Sequence, residues 1–428
     1  ARLQHMLGAE SVLTGEEDRR FFSQDISGPR QHVAACVIRP QSVEQLSSAV
    51  AAATDAGYCV VARGGATSYT GGFAPDRELC VIVDTRGLSR VVEINTADMY
   101  VTVEAGCTWE ALYAALEPHG VRTPFWGPLS GALATIGGGL SQNSILWGSA
   151  RYGVSAESVL ALDVVLADGS VLATGAGALG TAKPFLRYYG PDLTGLFLGD
   201  TGALGIKARG TLKLIRRPAF FETASFGFDT HVAQSGAMTE IAREGLVSEC
   251  FGMDPVLQSQ RMKRAGLAQD LKAVKGVITS ARGLTQGLKE AAKVALAGRS
   301  FLDDVPYSMH VGTEGRTESA VTDSLAEVRR IVAAHGGREV ENTIPKVMRG
   351  MRFVPMTSAI GPEGERWLPV HALVRLPDAA ETWSAVQALF ASRQAEFDAH
   401  GVKVGVLTAI VGSNAFVLEP VFYWPAPR

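Results

Sequence analysis

Residues 63–68 read Arg-Gly-Gly-Ala-Thr-Ser, and Tyr-Thr-Gly-Gly follows at 69–72. Gly64 and Gly65 lack the Cβ atoms that would hold an anionic ligand away from backbone N–H groups, and Ala66 is nearly as small. Thr67 and Ser68 add hydroxyl donors, Arg63 adds a fixed positive charge, and Gly71 closes the turn. Together they offer what a pyrophosphate requires. The segment is not a P-loop, because no Gly-Lys-Ser/Thr follows, and it lacks the G-x-G-x-x-G spacing of a Rossmann turn. A single glycine-rich turn is more often plain structure, so the reading depends on its company.

Two further glycine-rich segments supply that company. The first runs over 124–153 and contains Pro128, Thr135, Gly137, Gly138, Ser141 and Asn143, with Arg151-Tyr152-Gly153 at its end. So many glycines around Thr135 and Asn143 let a backbone lie against a flat ligand and hydrogen-bond to it. The second runs over 198–206 and contains Gly202, Gly205 and Ile206. Between them, apolar runs at 160–166 and 171–174 flank Asp168-Gly169, a strong hairpin signal.

The elements that position these loops are legible upstream. Ser42 with Gln45 forms a capping box for a helix over 43–56, and Gly57 stands where a C′ glycine belongs. That helix feeds an apolar strand over 58–62 that runs into the Arg63 loop. Strands are predicted over 79–84 and, as a pair, over 91–103. A helix opens near Cys107 and ends near Gly120. Cys107 could be a reactive thiol, but a small residue at a helix start is the preferred reading.

Composition narrows the class. A chain of 428 residues is long for one core and predicts two domains. With 46% hydrophobic and 19% charged residues it is globular, and a net charge of −3 gives no reason to expect nucleic acid. The five cysteines are widely spaced without a C-x-x-C, so they are expected to be reduced thiols in a cytoplasmic protein, with no metal site. No membrane-spanning run and no signal-peptide pattern are visible.

The three glycine-rich segments in this order, with the Asp-Gly hairpin between the second and third, resemble the flavin domain of the vanillyl alcohol oxidase / para-cresol methylhydroxylase superfamily. The likeness is strongest to its D-lactate dehydrogenase and glycolate oxidase D-subunit branch, and it covers residues 30–217. The resemblance implies an α+β fold: a two-subdomain FAD-binding domain over 1–217 and a ferredoxin-like antiparallel cap, binding substrate, over 218–428. It implies FAD, with residues 63–68 around the pyrophosphate, 135–143 along the ribityl and flavin, and 202–206 on the adenine side. Ala66 departs from the glycine usual there. Some relatives carry a covalently attaching His in the first loop; this one has Thr67 and Ser68 instead, so the FAD is expected to be non-covalent.

The second half reads as repeated strand–helix–strand units, predicting an antiparallel sheet with helices on one face. Predicted strands cover 220–228, 246–253, 305–311, 338–342, 367–376, 402–411 and 415–424, with helices over 231–243, 319–335 and 379–400. Residues 261–299 form a basic insertion with nine Lys or Arg against Asp270 and Glu290. Its apolar residues near helical spacing suit either a peripheral membrane contact near a quinone pool or a solvated helix pair, and Gly266, Gly276, Gly283 and Gly287 favour the latter.

Hydride transfer from a carbinol carbon needs a base for the hydroxyl proton and, for a hydroxy acid, a cation for the carboxylate. His371 is the candidate base, Arg352 and Arg366 are candidate anchors, and Tyr423 could orient the substrate. Each also has a bland reading, as a core histidine, structural arginines and a packing tyrosine; His310 is a weaker candidate. A His-rich metal motif found in many relatives is missing at 408–416, which counts against metal-assisted oxidation. The expected function is oxidation of a 2-hydroxy acid, with electrons passed to a quinone, a protein or oxygen. The alternative is a phenolic or aryl-alcohol oxidase with Trp126, Phe353, Tyr423 and Trp424 around the ring. A flavin carrier without turnover is a third reading, disfavoured by the large cap. A homo-oligomer is compatible with the sequence, but no motif encodes one.

Overall fold

The computed structural model describes residues 1–26, 28–29, 31–180, 182–263, 304–354 and 364–425. Most of the basic insertion at 261–299 therefore lies outside the described residues. The chain divides into two compact units, residues 1–145 with 154–217, and residues 146–153 with 218–428.

The first unit holds two principal sheets. In one, the strands order as Val12–Leu13, Cys36–Ile38, Cys80–Asp84 and Cys59–Arg63, and the last three run parallel. The helix Val43–Asp55 connects two of these strands. Its Ser42 hydroxyl accepts from Gln45 N–H, and Gly57 follows at φ +79°. Leu46, Ala49, Val50 and Ala53 are its buried stripe, packed with Ile38, Val81 and Val83. The other sheet orders Val171–Ala173, Val159–Val165, Ile206–Lys213, Tyr100–Glu104 and Val91–Asn95, all antiparallel. Asp168-Gly169 forms the hairpin turn, with Gly169 at φ +82° and the Asp168 carboxylate accepting from Ser170 N–H at 2.8 Å. The helix joins the sheets through that turn: Ser47 donates to the Gly169 carbonyl and Thr54 to the Ala167 carbonyl.

One expectation fails here. Cys59 and Cys80 are joined by a disulfide, so the cysteines are not all reduced thiols. The reason is register: the two residues are direct partners on adjacent parallel strands. Cys36, Cys107 and Cys250 are free and buried. Burial pushes the Cys107 thiol up to about 11, which leaves it a poor nucleophile.

The second unit is built on one antiparallel sheet of eight strands among the described residues. Its order is Arg338–Val340, Phe220–Phe228, Tyr307–Gly315, Glu249–Met253, Lys403–Val411, Ala415–Trp424 and Arg366–Pro369, with Ala372–Arg375 also on Ala415–Trp424. Alternate residues face opposite sides of the sheet. Ala224, Phe226, Phe228, Cys250, Met309, Val311, Ile410 and Phe416 form an apolar core with residues of the helices His231–Glu244 and Glu318–Ala334. The other parity carries Thr223, Ser225, Glu249, His310, Glu314, Glu419 and Tyr423, a far more polar set. Two predicted elements are interrupted: the strand expected over 367–376 breaks at Val370 and His371, and the helix expected over 379–400 breaks at Arg393.

Candidate functional site

The three glycine-rich segments meet in the first unit. A Cβ placed on Gly72 would stand 3.4 Å from Gln142 Nε2 and 3.8 Å from Thr201 Cβ, so one residue from each segment lies at the same point. Gly199 N–H donates to the Leu140 carbonyl and Thr201 N–H to the Ser141 carbonyl, both at 2.9 Å. On the other side, a Cβ on Gly64 would fall on the Thr135 hydroxyl, and one on Gly65 on the Leu133 carbonyl. The first loop therefore lies against the second backbone to backbone, a contact open only to glycine.

Donors are left over where a phosphate would need them. Among the described residues, the backbone N–H groups of Ala66, Thr67 and Ser68 donate no hydrogen bond, and all three residues are only half-buried. Ala66 sits at φ +55°, the left-handed conformation that turns successive N–H groups inward to form an anion nest. The Asp25 carboxylate pins the far end of the loop by accepting from Gly71 N–H at 2.7 Å. This exposed cradle of donors fits a dinucleotide pyrophosphate.

Arg63 is placed differently from a phosphate clamp. Its side chain is buried, with the guanidinium 4.8 Å from the Phe22 ring centroid and 5.2 Å from that of Phe73. Burial pulls its pKa down to about 10; Arg86 adds to the fall and Asp84 opposes it. The anion-binding capacity of the loop thus rests on backbone donors.

The glycines of the second segment divide by duty. Thr135 caps the short helix Ile136–Ser141 by accepting from Gly138 N–H. Gly137 is pressed on Ala105 and Gly139 on the Trp109 ring, where a Cβ would come within 2.8 and 2.5 Å. These two serve packing; Gly138 and Ser141 are more exposed. Asn143, at φ +52°, lies beside Gly199 and its side-chain oxygen accepts from Ala156 N–H. Pro128 holds a turn through its carbonyl, which accepts from Gly131 N–H. In the third segment, Asp200 accepts from Gly202 and Leu204 N–H and pairs with Lys207, while Gly205 packs on Val164 and Ile206 enters the sheet buried. Asp25, Asp200 and Lys207 carried no motif that sequence reading could find.

In the second unit the polar parity of the sheet holds the titratable groups. His371 Nε2 lies 2.7 Å from Glu419 Oε2. The imidazole is half-exposed, and desolvation still lowers its pKa, which favours the neutral ring. Arg349 bridges the buried Glu249 and Glu314 at 3.1 and 2.6 Å and stacks 3.9 Å from the Phe221 ring centroid. Ser248 donates to the second oxygen of Glu249. This buried cluster was missed, because its members come from four distant parts of the chain. His310 is fully buried between Ser225 and Ser308, and desolvation drives its pKa down to about 3, so it remains neutral.

The remaining candidates are spread out. The Arg352 carbonyl accepts from Trp147 Nε1 at 2.8 Å, and Arg366 opens its strand opposite Trp424. Tyr423 is buried with Met253, Leu257 and Val421. Trp126 is packed inside the first unit against Tyr113, at 5.3 Å between ring centroids.

Comparison with known proteins agrees with this geometry. Residues 34–175 match a family model described as an FAD binding domain. The chain is 28% identical over 276 residues to glycolate oxidase subunit GlcD of Bacillus subtilis (strain 168), covering 64% of this chain and 57% of that one. It is 28% identical over 240 residues to the mitochondrial D-lactate dehydrogenase [cytochrome] 1 of Saccharomyces cerevisiae, covering 56% of this chain and 39% of that one. The chain thus spans about half the length of the curated relatives it matches. Its fold is similar to a crystal structure of p-cresol methylhydroxylase with substrate bound, at TM-score 0.73 and 17% identity, over 99% of this chain and 81% of that one. Among the described residues no helix is long and apolar enough to cross a membrane.

Proposed function

We propose that the chain is a member of the vanillyl alcohol oxidase / para-cresol methylhydroxylase superfamily of FAD-binding proteins and an FAD-dependent oxidoreductase acting on a 2-hydroxy acid. The observation that carries the cofactor part is the meeting of three glycine-rich segments around unspent backbone donors, inside the matched FAD domain. The substrate class is supported by the likeness to a glycolate oxidase subunit and a D-lactate dehydrogenase.

Bound FAD would supply a two-electron acceptor for the hydride of the carbinol carbon. The N–H groups of Ala66, Thr67 and Ser68 would hold its pyrophosphate without a covalent link, since this loop has no His. His371, kept neutral by desolvation, would take the hydroxyl proton. Arg352 and Arg366 are the proposed carboxylate anchors, because a guanidinium meets a carboxylate with two parallel hydrogen bonds. Arg349 is already committed to two carboxylates and is not assigned this task.

The test is an absorbance spectrum of the purified protein, then anaerobic titration with D-lactate, D-2-hydroxyglutarate and vanillyl alcohol. Flavin released to the supernatant by acid, and bleaching by a hydroxy acid, are the expected results. Bleaching by the aromatic alcohol alone would move the substrate to the phenol-oxidising class. A protein that takes up no FAD would overturn the proposal at its base.

A further inference from the structure

We propose that Cys59, Asp76 and Cys80 form a redox-gated site for a zinc-class divalent cation, closed while the two cysteines are joined and open once they are reduced.

The sheet of the first unit builds the site. Cys59 and Cys80 are direct partners on adjacent parallel strands, with their Cα atoms 4.6 Å apart. Backbone bonds hold both without help from the sulfurs: Cys59 N–H donates to the Leu79 carbonyl, and the Cys80 carbonyl accepts from Ala35 N–H, each at 2.8 Å. Partners in register turn their side chains to one face, so the two thiols stay side by side after reduction. Asp76, in the loop just before Cys80, brings a carboxylate oxygen to the same point. The three ligand atoms lie within 4.8 Å of one another, and among the described residues no other three side chains of ligand type converge in this way. No C-x-x-C marks them, because strand register rather than sequence spacing brings them together.

The ligand types select the cation. Two thiolates and a carboxylate suit zinc and its neighbours, whereas calcium and magnesium take oxygen ligands. The Asp76 side chain is 70% exposed, which leaves the fourth tetrahedral position to solvent. Its carboxyl is held below the ordinary range chiefly by the hydrogen bond from Arg77, with a smaller part from His32. The Arg77–Asp76 pair is exposed and therefore weak enough to yield to a cation. Arg77 then offsets the one negative charge left by a divalent ion among three anionic ligands.

The gate follows from sulfur chemistry. In the disulfide neither sulfur is a thiolate, and only a thiolate ligates such a cation. A dithiol delivers two electrons and two protons to the S–S bond and becomes a disulfide itself. The cation then displaces the two thiol protons to water. Cys80 is buried, so its thiolate persists only with that positive charge beside it. The bound cation closes the same 21-residue span as the disulfide, and so restores in the reduced protein a cross-link around the first glycine-rich loop.

The test titrates Co²⁺ into the unmutated protein before and after reduction by a phosphine, which becomes its oxide and has no thiolate to compete for the ion. Difference spectra should show a thiolate-to-cobalt charge-transfer band saturating at a single equivalent in the reduced protein, removed by Zn²⁺ and unaffected by Mg²⁺. The oxidised protein should show none. Cys59→Ser with Cys80→Ser should abolish the band, and Asp76→Asn should weaken Co²⁺ binding at least about tenfold, since it removes a charged ligand. A reduced protein without the band would overturn the proposal with no variant needed. A band that survives in the double variant would overturn it too, by moving the site to Cys36, Cys107 or Cys250, and so would an unchanged affinity in Asp76→Asn. A protein that takes up no FAD would sink the flavin reading and leave the cobalt result standing.

Discussion

Asp200 and Lys207 form an ion pair at 2.6 Å in which both side chains are almost wholly enclosed, and the same carboxylate accepts from the N–H groups of Gly202 and Leu204. The pair ties the third glycine-rich turn to the start of the strand Ile206–Lys213. Burial lowers the Lys207 pKa, and Asp200 works against that fall. Asp200→Asn keeps the shape but strands a buried ammonium, and should cost about 3–5 kcal/mol in urea unfolding. The double variant Asp200→Asn, Lys207→Met should regain most of that loss, because no buried charge then lacks a counter-charge.

Gly65→Ala should abolish stable FAD binding while leaving a folded protein. The added Cβ would collide with the Leu133 carbonyl, which belongs to backbone and can yield only by separating the first two loops. The expected outcome is a colourless protein with native far-ultraviolet circular dichroism. Flavin retained at full occupancy would show that the loops need not touch.

Asp254 gives a pH prediction with a definite sign. Its carboxyl is buried at the start of the helix Pro255–Lys263, and desolvation raises its pKa to about 6 despite bonds from Leu257 N–H and its neighbours. The unfolded chain loses this proton near pH 4 and the native state keeps it to about pH 6. This group alone therefore makes stability fall as pH rises between those values, and the penalty stays constant above them. Asp254→Asn can still cap the helix and should remove the decline, with a gain of about 1–3 kcal/mol at pH 7. Denaturant midpoints of both proteins at pH 4 and pH 7 check this; a gain equal at both would disprove the cause.

The Cys59–Cys80 link spans 21 residues that include the whole first loop. In the chain-entropy view, closing a segment of that length is worth about 3 kcal/mol. Cys59→Ser with Cys80→Ser should lower stability by about 2–3 kcal/mol and weaken FAD retention. Dithiothreitol should reproduce the effect in the unmutated protein and leave the double variant unchanged.

Much of the fold was legible because its signals are local. Ser42, Gln45 and Gly57 bound a helix by capping chemistry, and Asp168-Gly169 sets a hairpin by turn chemistry; neither depends on distant residues. The strand Phe220–Phe228 and the strand Ala415–Trp424 were likewise readable to the residue from their runs of β-forming side chains. Breaks at His371 and Arg393 were not, because the propensities on either side continue unchanged.

The order of three glycine-rich segments marked, from sequence alone, the loops that the family resemblance assigns to a flavin nucleotide, since a missing Cβ is a property of the residue itself. What each glycine packs against was decided only by the fold: Gly65 and Gly139 look alike in sequence, but one lies on the Leu133 backbone of a neighbouring loop and the other on Trp109. The same holds for the partnerships of Cys59 with Cys80, Asp200 with Lys207 and His371 with Glu419. Two of these are set by strand register and one by the close of a turn. A charge or thiol declares its chemistry in the sequence, but its pKa and its partner depend on what the folded chain brings within 3 Å or so and on how much water it leaves there.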